Sequence, residues 1–126
     1  MVRIKAGPLK RKKWSVVSGG NFIRGLYEEF KTEALLKCIK PGDVIYDVGG
    51  HVGYYSILSS VLAGPTGKVF VFEPRPMNVA FLKRHVKFNG VENVLLSKRL
   101  FQTRPVTPVS KTIPEAARDT RRSMVI

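Results

Sequence analysis

The residues with the clearest chemical potential lie in the stretch DVGGHVGYY, from Asp47 to Tyr55. It places a carboxylate, three glycines and a histidine between two apolar runs. Glycine loses more conformational freedom on folding than other residues, so a cluster of three indicates a backbone that comes close to something. A tight turn alone would explain the glycines. A second acid, Glu73, lies 20 residues beyond Gly53, where a dinucleotide-binding fold places its ribose-binding carboxylate. Loop and acid together favour a site for an adenosine-containing cofactor.

The type of cofactor is narrowed by what the loop lacks. A nicotinamide site requires G-x-G-x-x-G, but His51 stands at the third position of that pattern. A P-loop is excluded because no Gly-Lys-Ser/Thr follows the glycines. Asp47 would repel a pyrophosphate but attract a cofactor with a sulfonium and a free amino group. S-adenosylmethionine is such a cofactor, and it tolerates the wider G-x-x-x-G spacing of Gly49 and Gly53.

These residues must be positioned by alternating strands and helices. Apolar periodicity and turn signals predict the following elements: a helix over Arg24–Lys40, a strand over Val44–Val48, a helix over Tyr54–Ala63, a strand over Lys68–Glu73, a helix over Met77–Phe88 and a strand over Asn93–Ser97. The alternation predicts an α/β fold, a βαβαβ unit of parallel strands in the order three-two-one with a preceding helix. Because ligands bind beyond the carboxyl ends of such strands, the glycine loop and Glu73 are expected to meet there.

At these residues the sequence resembles a known family. The runs PGDVIYDVGGHVGYYSI, GKVFVFEPRPMN and LKRHVKFNGVENV resemble the FkbM-type family of S-adenosylmethionine-dependent methyltransferases, over roughly Tyr27 to Leu100. The resemblance implies a Rossmann-like class I methyltransferase fold. It also implies cofactor-binding roles in which Glu73 holds the ribose hydroxyls and the loop lines the methionine end. The loop residues concerned are Asp47, Gly49, Gly50, His51 and Gly53.

The sequence also departs from the family pattern. The family usually has Asn where this chain has His51, whereas Tyr27-Glu28 resembles a family feature before the first strand. Members typically methylate hydroxyl oxygens of sugars or small natural products, so the resemblance implies a small-molecule or sugar acceptor of unknown identity. No catalytic residue and no metal site is predicted.

The second half of the family fold is not recognisable in the sequence. A complete fold of this class has seven strands, but the pattern ends near Leu100 after three. Residues 101–126 contain three prolines and no periodic apolar face, although Thr112–Arg122 could form a short helix. We therefore expect a truncated half-sheet with an irregular basic tail over 101–126. This fits a truncated or frame-shifted product with little activity alone, or a half whose exposed sheet edge a partner chain covers.

The net charge of +13 belongs to the ends of the chain. Residues 1–13 hold six Lys/Arg and no acid, whereas residues 14–97 have a net charge of only +2. We divide the chain into a basic arm (1–20), a partial S-adenosylmethionine-binding domain (21–100) and the tail. A basic arm can bind phosphate backbones, but a solvated tail is the simpler interpretation. An RNA-binding or RNA-methylating module and an inactive structural fragment therefore stay open as alternatives to the methyltransferase.

Composition indicates a globular protein in the cytoplasm. The apolar fraction is 44%, and the most apolar region, Val44–Ala63, is interrupted by Asp47 and His51, so no membrane span is expected. Cys38 is the only cysteine, which excludes an intramolecular disulfide and predicts a packed thiol. His85, in the middle of a predicted helix, is expected to be solvated.

Overall fold

The computed structural model describes residues 1–25, 27–97 and 121–126. A short 3-10 turn covers Val16–Ser18. The other elements are, in chain order, β1 (Val2–Arg3), β2 (Lys13–Trp14), α1 (Gly20–Arg24), α2 (Glu29–Cys38), β3 (Val44–Val48), α3 (Tyr54–Ala63), β4 (Lys68–Phe72), α4 (Pro76–Phe88), β5 (Val94–Ser97) and β6 (Ser123–Val125). None of the helices in these ranges is long and apolar enough to cross a membrane.

The central sheet has four parallel strands in the order β5-β4-β3-β6. The predicted α/β class, the βαβαβ unit and its three-two-one strand order are confirmed by β3, β4 and β5. In the register between β3 and β4, Asp47 lies opposite Val71 and Val48 lies opposite Phe72. The carboxyl ends of the two strands are therefore level, and the segments that follow them are brought side by side.

One face of the sheet forms the core with α3. Ile45, Val69 and Val71 are fully buried on this face. Their neighbours in the strands point to the opposite face, where the Tyr46 and Phe70 rings stack with centroids 5.3 Å apart. Helix α3 packs against β3 and β4 and is buried on nearly all sides, which explains why it contains no charged residue and only three serines among its apolar and aromatic side chains.

The prediction of an irregular tail over 101–126 is wrong at its end. Ser123–Val125 forms β6, which pairs with β3, so the chain itself covers one edge of the predicted half-sheet. Arg122 holds it there, because its guanidinium donates to both Asp43 carboxylate oxygens, at 3.1 and 2.6 Å, and to the Cys38 carbonyl. These Arg122 contacts lower the pKa of Asp43. The predicted helix Thr112–Arg122 falls almost entirely in residues 98–120, outside the described residues.

The predicted helix over Arg24–Lys40 is confirmed only over Glu29–Cys38, because Arg24 is the last residue of the separate helix α1. Gly25 (φ 76°) and Glu28 (φ 40°) adopt left-handed conformations that a right-handed helix cannot continue. A Cβ on Gly25 would lie 2.0 Å from the Ala6 carbonyl oxygen, so the break makes room for the N-terminal segment. Phe30, in the first turn of α2, is 90% exposed. Cys38, predicted to be packed, is exposed at the end of α2.

The N-terminal segment is a folded hairpin and not a solvated tail. Strands β1 and β2 pair antiparallel, and the buried Trp14 stacks on His85 with ring centroids 3.8 Å apart. The Ser15 amide donates to His85 Nε2 at 3.0 Å, so the imidazole proton lies on Nδ1, which donates to the Val52 carbonyl at 2.8 Å. The prediction of a solvated His85 is wrong, because the helix sequence alone does not reveal the tryptophan that covers it.

The burial of His85 makes the fold sensitive to acid. Burial, opposed by the Val52 hydrogen bond and reinforced by the charge of Arg84, lowers the pKa of His85 below its usual 6.5. The imidazole of His85 therefore binds a proton more readily in the unfolded chain than in the folded one. The stability that neutral His85 contributes is complete above pH 6.5 and is lost as the pH falls below 6.5. The loss is at most about 1.4 kcal/mol per pH unit, the limit for one proton.

We expect the free energy of unfolding in urea to fall between pH 7.5 and pH 5.5, two values on either side of that ordinary pKa. His85→Asn should be less stable at pH 7.5 and should lose less on acidification. His51→Asn, a change at the second and exposed histidine, should keep the wild-type dependence. An identical acid loss in wild type and His85→Asn would contradict this role of His85.

Candidate functional site

The site lies where the order of the strands reverses. The chain passes from β3 to β4 and β5 on one side, whereas β6 lies on the other side of β3. In open parallel sheets, ligands bind at such a point beyond the carboxyl ends of the strands. A cleft of about 310 Å³ is found there, with twelve lining residues: Phe22, Tyr27, Glu28, Lys31, Asp47, Val48, Gly49, Gly50, His51, Val52, Tyr54 and Tyr55.

The glycine loop is fixed to the end of β4 by its backbone. The amides of Gly49 and Gly50 both donate to the Phe72 carbonyl, at 2.8 and 3.1 Å. A Cβ on Gly50 would lie 2.2 Å from Val71 Cγ1, so the chain approaches too closely there for any side chain. Gly53, with φ 95°, has a left-handed conformation against Leu82. The glycines predicted a backbone that comes close to something, and the structure shows that the loop backbone lies close to the end of β4 in its own sheet.

The backbone of His51 has a clearer role in the loop than its side chain has. Its φ is 50°, in the left-handed region where Asn, Asp and His are enriched, so His51 can adopt the backbone geometry that Asn also adopts. The side chain is exposed at the cleft, and the amide donates to Glu73 Oε2 at 2.8 Å. The loop and the spaced acid are thus joined directly.

Glu73 anchors the loop and still has capacity to accept a hydrogen bond. It is only 6% exposed, and its other oxygen accepts from the Arg75 amide at 2.9 Å and from the Asn78 side chain at 3.2 Å. Burial would raise its pKa, but these donors and His51 lower it, so the group is ionised at neutral pH. A carboxylate has about four lone-pair sites, which leaves one on Oε2, although Glu73 itself is not one of the residues that line the cleft. The anchoring role was missed from the sequence, where only the spacing of Glu73 was informative.

Asp47 presents a buried carboxylate at the cleft. It is 4% exposed and accepts a hydrogen bond from Ser56 Oγ at 2.5 Å. Burial raises its pKa, opposed by the Ser56 bond and the charge of Lys31, while the charge of Glu73 raises it further. Among the described residues no Lys or Arg forms an ion pair with it. A buried carboxylate of this kind favours a ligand that brings positive charge.

An aromatic wall, Phe22, Tyr27, Tyr54 and Tyr55, closes the other side of the cleft. Phe22 and Tyr27 have ring centroids 4.2 Å apart, and Tyr27 and Tyr54 5.3 Å. Aromatic faces attract cations and pack against flat apolar rings. The wall was missed from the sequence, because its members come from three segments and the break between α1 and α2 was not predicted.

Polar groups border this wall. The Tyr55 hydroxyl donates to Glu28 Oε2 at 2.8 Å, and Lys31 Nζ lies 4.3 Å from the centroid of the Tyr55 ring. Burial and the Glu28 bond raise the pKa of Tyr55, which therefore stays a neutral donor. The Tyr27-Glu28 pair noted in the sequence thus lies at the cleft. In the ranges that the structure describes, no three His, Cys, Asp or Glu residues are grouped to hold a metal ion.

Comparisons with known proteins agree with this architecture. No protein-family model matches the sequence. A SAM-dependent methyltransferase from Aquifex aeolicus is similar in structure, with a TM-score of 0.52 and 29% identity over 59% of this chain and 40% of that one. An rRNA methylase from Clostridium thermocellum matches with a TM-score of 0.54 and 21% identity, over 56% of this chain and 38% of that one. A SAM-dependent O-methyltransferase from Thermotoga maritima matches with a TM-score of 0.52 and 24% identity, over 56% of this chain and 28% of that one.

These neighbours bear out the predicted fold. The chain has part of the Rossmann-like fold of class I S-adenosylmethionine-dependent methyltransferases, and S-adenosylmethionine is the cofactor expected of that fold. The chain spans 28–40% of the length of these three proteins.

The close packing of the loop is tested by adding one carbon. Gly50→Ala should destabilise the protein by about 1–3 kcal/mol, because Val71 must move to admit the methyl group. Gly20→Ala is the matched control, since a Cβ at Gly20 meets nothing within 4 Å. It should leave stability unchanged or raise it by up to about 1 kcal/mol. Urea unfolding measures both, and equal stability of the two variants would be inconsistent with the packing described.

Proposed function

We propose that the cleft binds S-adenosylmethionine and that the protein transfers the methyl group of this cofactor to a hydroxyl oxygen. One observation carries the proposal: Asp47, a buried carboxylate that forms no ion pair within the described residues, lies beside a glycine loop that Glu73 anchors. A cofactor with a sulfonium and an amino group would bring the missing positive charge.

Each part of the cleft suits a different part of this cofactor. Asp47 would face the positive groups of the methionine portion, and the free lone pair of Glu73 would accept from the ribose hydroxyls. Gly49 is exposed and has open space where a Cβ would be, so the loop backbone can come close to the ligand. Gly50 and Gly53 would hold the shape of the loop, and His51 its link to Glu73.

The bound cofactor supplies an activated methyl group, and transfer to oxygen depends mainly on positioning and on a base for the hydroxyl proton. Membership of the FkbM-type family, proposed from the motifs, favours a sugar or small-molecule hydroxyl as acceptor. RNA methylation is the second candidate, supported by the similarity to the rRNA methylase and by the basic ends of the chain. The proposal assigns the cofactor site to residues 21–100, between the segments 1–20 and 101–126, and the location to the cytoplasm.

The proposal predicts that S-adenosylhomocysteine stabilises the folded chain, since this product shares the ribose and amino-acid portions of the cofactor. Ligand at 100 times its dissociation constant adds about 2.7 kcal/mol of stability. Thermal unfolding with millimolar S-adenosylhomocysteine should therefore show a raised Tm, and NAD should not raise it. A shift with NAD alone would overturn the cofactor assignment, and no shift with either ligand would favour an inactive fragment.

Three variants test the residues. Asp47→Asn keeps an oxygen for Ser56 but loses the charge, so it should reduce the ligand-induced shift with little change in the unliganded Tm. Glu73→Gln should reduce the shift and also lower the unliganded Tm, because a carboxylate oxygen that holds the loop is lost. Glu33→Gln is the same chemical change at an exposed position of α2 and should alter neither. A full shift in Asp47→Asn would remove Asp47 from the site.

A further inference from the structure

The N-terminal hairpin carries cations at positions that the fold fixes. Lys10, Arg11 and Lys13 are exposed, and residues 1–27 contain no acid. The hairpin is held on α4 by the Trp14–His85 stack, so these cations belong to a folded surface. Within the described residues none of the three forms an ion pair with a carboxylate. Their charge is therefore available to an anionic ligand.

Helix α4 places a second basic group beside the hairpin. The Asn89 side chain accepts from the Lys13 amide at 2.7 Å and donates to the Lys13 carbonyl at 2.9 Å, which joins the helix end to β2. Arg84 and Lys87 are exposed on this helix, and residues 74–91 contain no acid. Glu92 is the first acid that follows. The Lys13–Asn89 hydrogen bonds place the hairpin beside the C-terminal end of α4, and the two segments carry five exposed cations that are distant in the sequence.

An exposed aromatic ring lies next to the point where the hairpin meets α4. Phe88 is 47% exposed, precedes Asn89, and follows Arg84 by four positions, so the two side chains are neighbours on the helix surface. Solubility does not require an exposed phenyl ring on a charged surface, so the exposure of Phe88 is better explained by binding. Cations together with an accessible aromatic face are the combination that binds unpaired nucleotides, because phosphates pair with the cations and bases stack on the ring.

We propose that Lys10, Arg11, Lys13, Arg84, Lys87 and Phe88 form a binding surface for single-stranded nucleic acid. A duplex is a poorer ligand, because its base faces are already stacked on one another. An anionic membrane would use the charges, but interfacial binding also scales with the apolar area that is inserted, and one half-exposed ring supplies little of it. The inference goes beyond the proposed methyl transfer and does not depend on the cofactor.

The test is fluorescence anisotropy of a labelled uridine oligonucleotide of about 20 nucleotides, titrated with the full chain without cofactor at several salt concentrations between about 50 and 200 mM. We expect binding that weakens steeply with salt. Phe88→Ala should weaken binding about fivefold or more, because a base can no longer stack there, with the salt slope unchanged. Lys10→Gln with Lys13→Gln should make the slope of log K against log salt shallower by about 0.7 for each phosphate that the protein no longer neutralises.

Matched controls separate this surface from general basicity. Lys37→Gln with Lys40→Gln removes the same charge from two other exposed lysines, and Phe30→Ala removes another exposed ring. Both controls should bind like wild type, with an unchanged Tm as the check on folding. Equal losses from the two lysine pairs, or full affinity in Phe88→Ala, would overturn the proposal. So would binding to phosphatidylserine vesicles without binding to the oligonucleotide. Because no cofactor is present, these outcomes leave the cofactor assignment unaffected.

Discussion

The structure depends on how the chain leaves β3 and crosses onto the end of β4. Two successive amides, those of Gly49 and Gly50, share the Phe72 carbonyl, and the next amide is held by Glu73. This arrangement satisfies three backbone donors in a turn that is too tight for side chains at Gly50. The same turn directs Asp47 and the start of α3 toward one cleft. The constraint that shapes the loop is thus internal to the protein, and any ligand meets a loop already formed.

The parts of the fold that were predictable are those specified by neighbouring residues. Apolar runs indicated β3, β4 and β5, the handedness of parallel connections gave their order, and the spacing of Glu73 from the loop anticipated that the two lie side by side. Each of these inferences uses a rule that acts within a βαβ unit. They hold here because the unit has short links and one glycine loop at its first turn.

The parts that were not predictable depend on contacts between distant residues. His85 looked like a solvated position because nothing in α4 reveals Trp14, 71 residues earlier, which stacks on it. Strand β6 has only three residues, and its place depends on Arg122 meeting Asp43. The break between α1 and α2 makes room for Ala6, a contact that helix propensity cannot anticipate. Local patterns therefore described the sheet but not the segments that complete it.

The position of Trp14 has a spectroscopic consequence. It is the only tryptophan in the chain, and its indole is fully buried between the hairpin and α4. Fluorescence excited at the red edge of the protein absorption spectrum therefore comes from Trp14 alone, at the junction of the hairpin and α4. An indole in an apolar enclosure emits at shorter wavelengths than one in water, so release of the hairpin would shift the maximum to the red even with the sheet intact. The emission maximum of Trp14 thus reports, without an added label, whether the N-terminal hairpin is attached to α4.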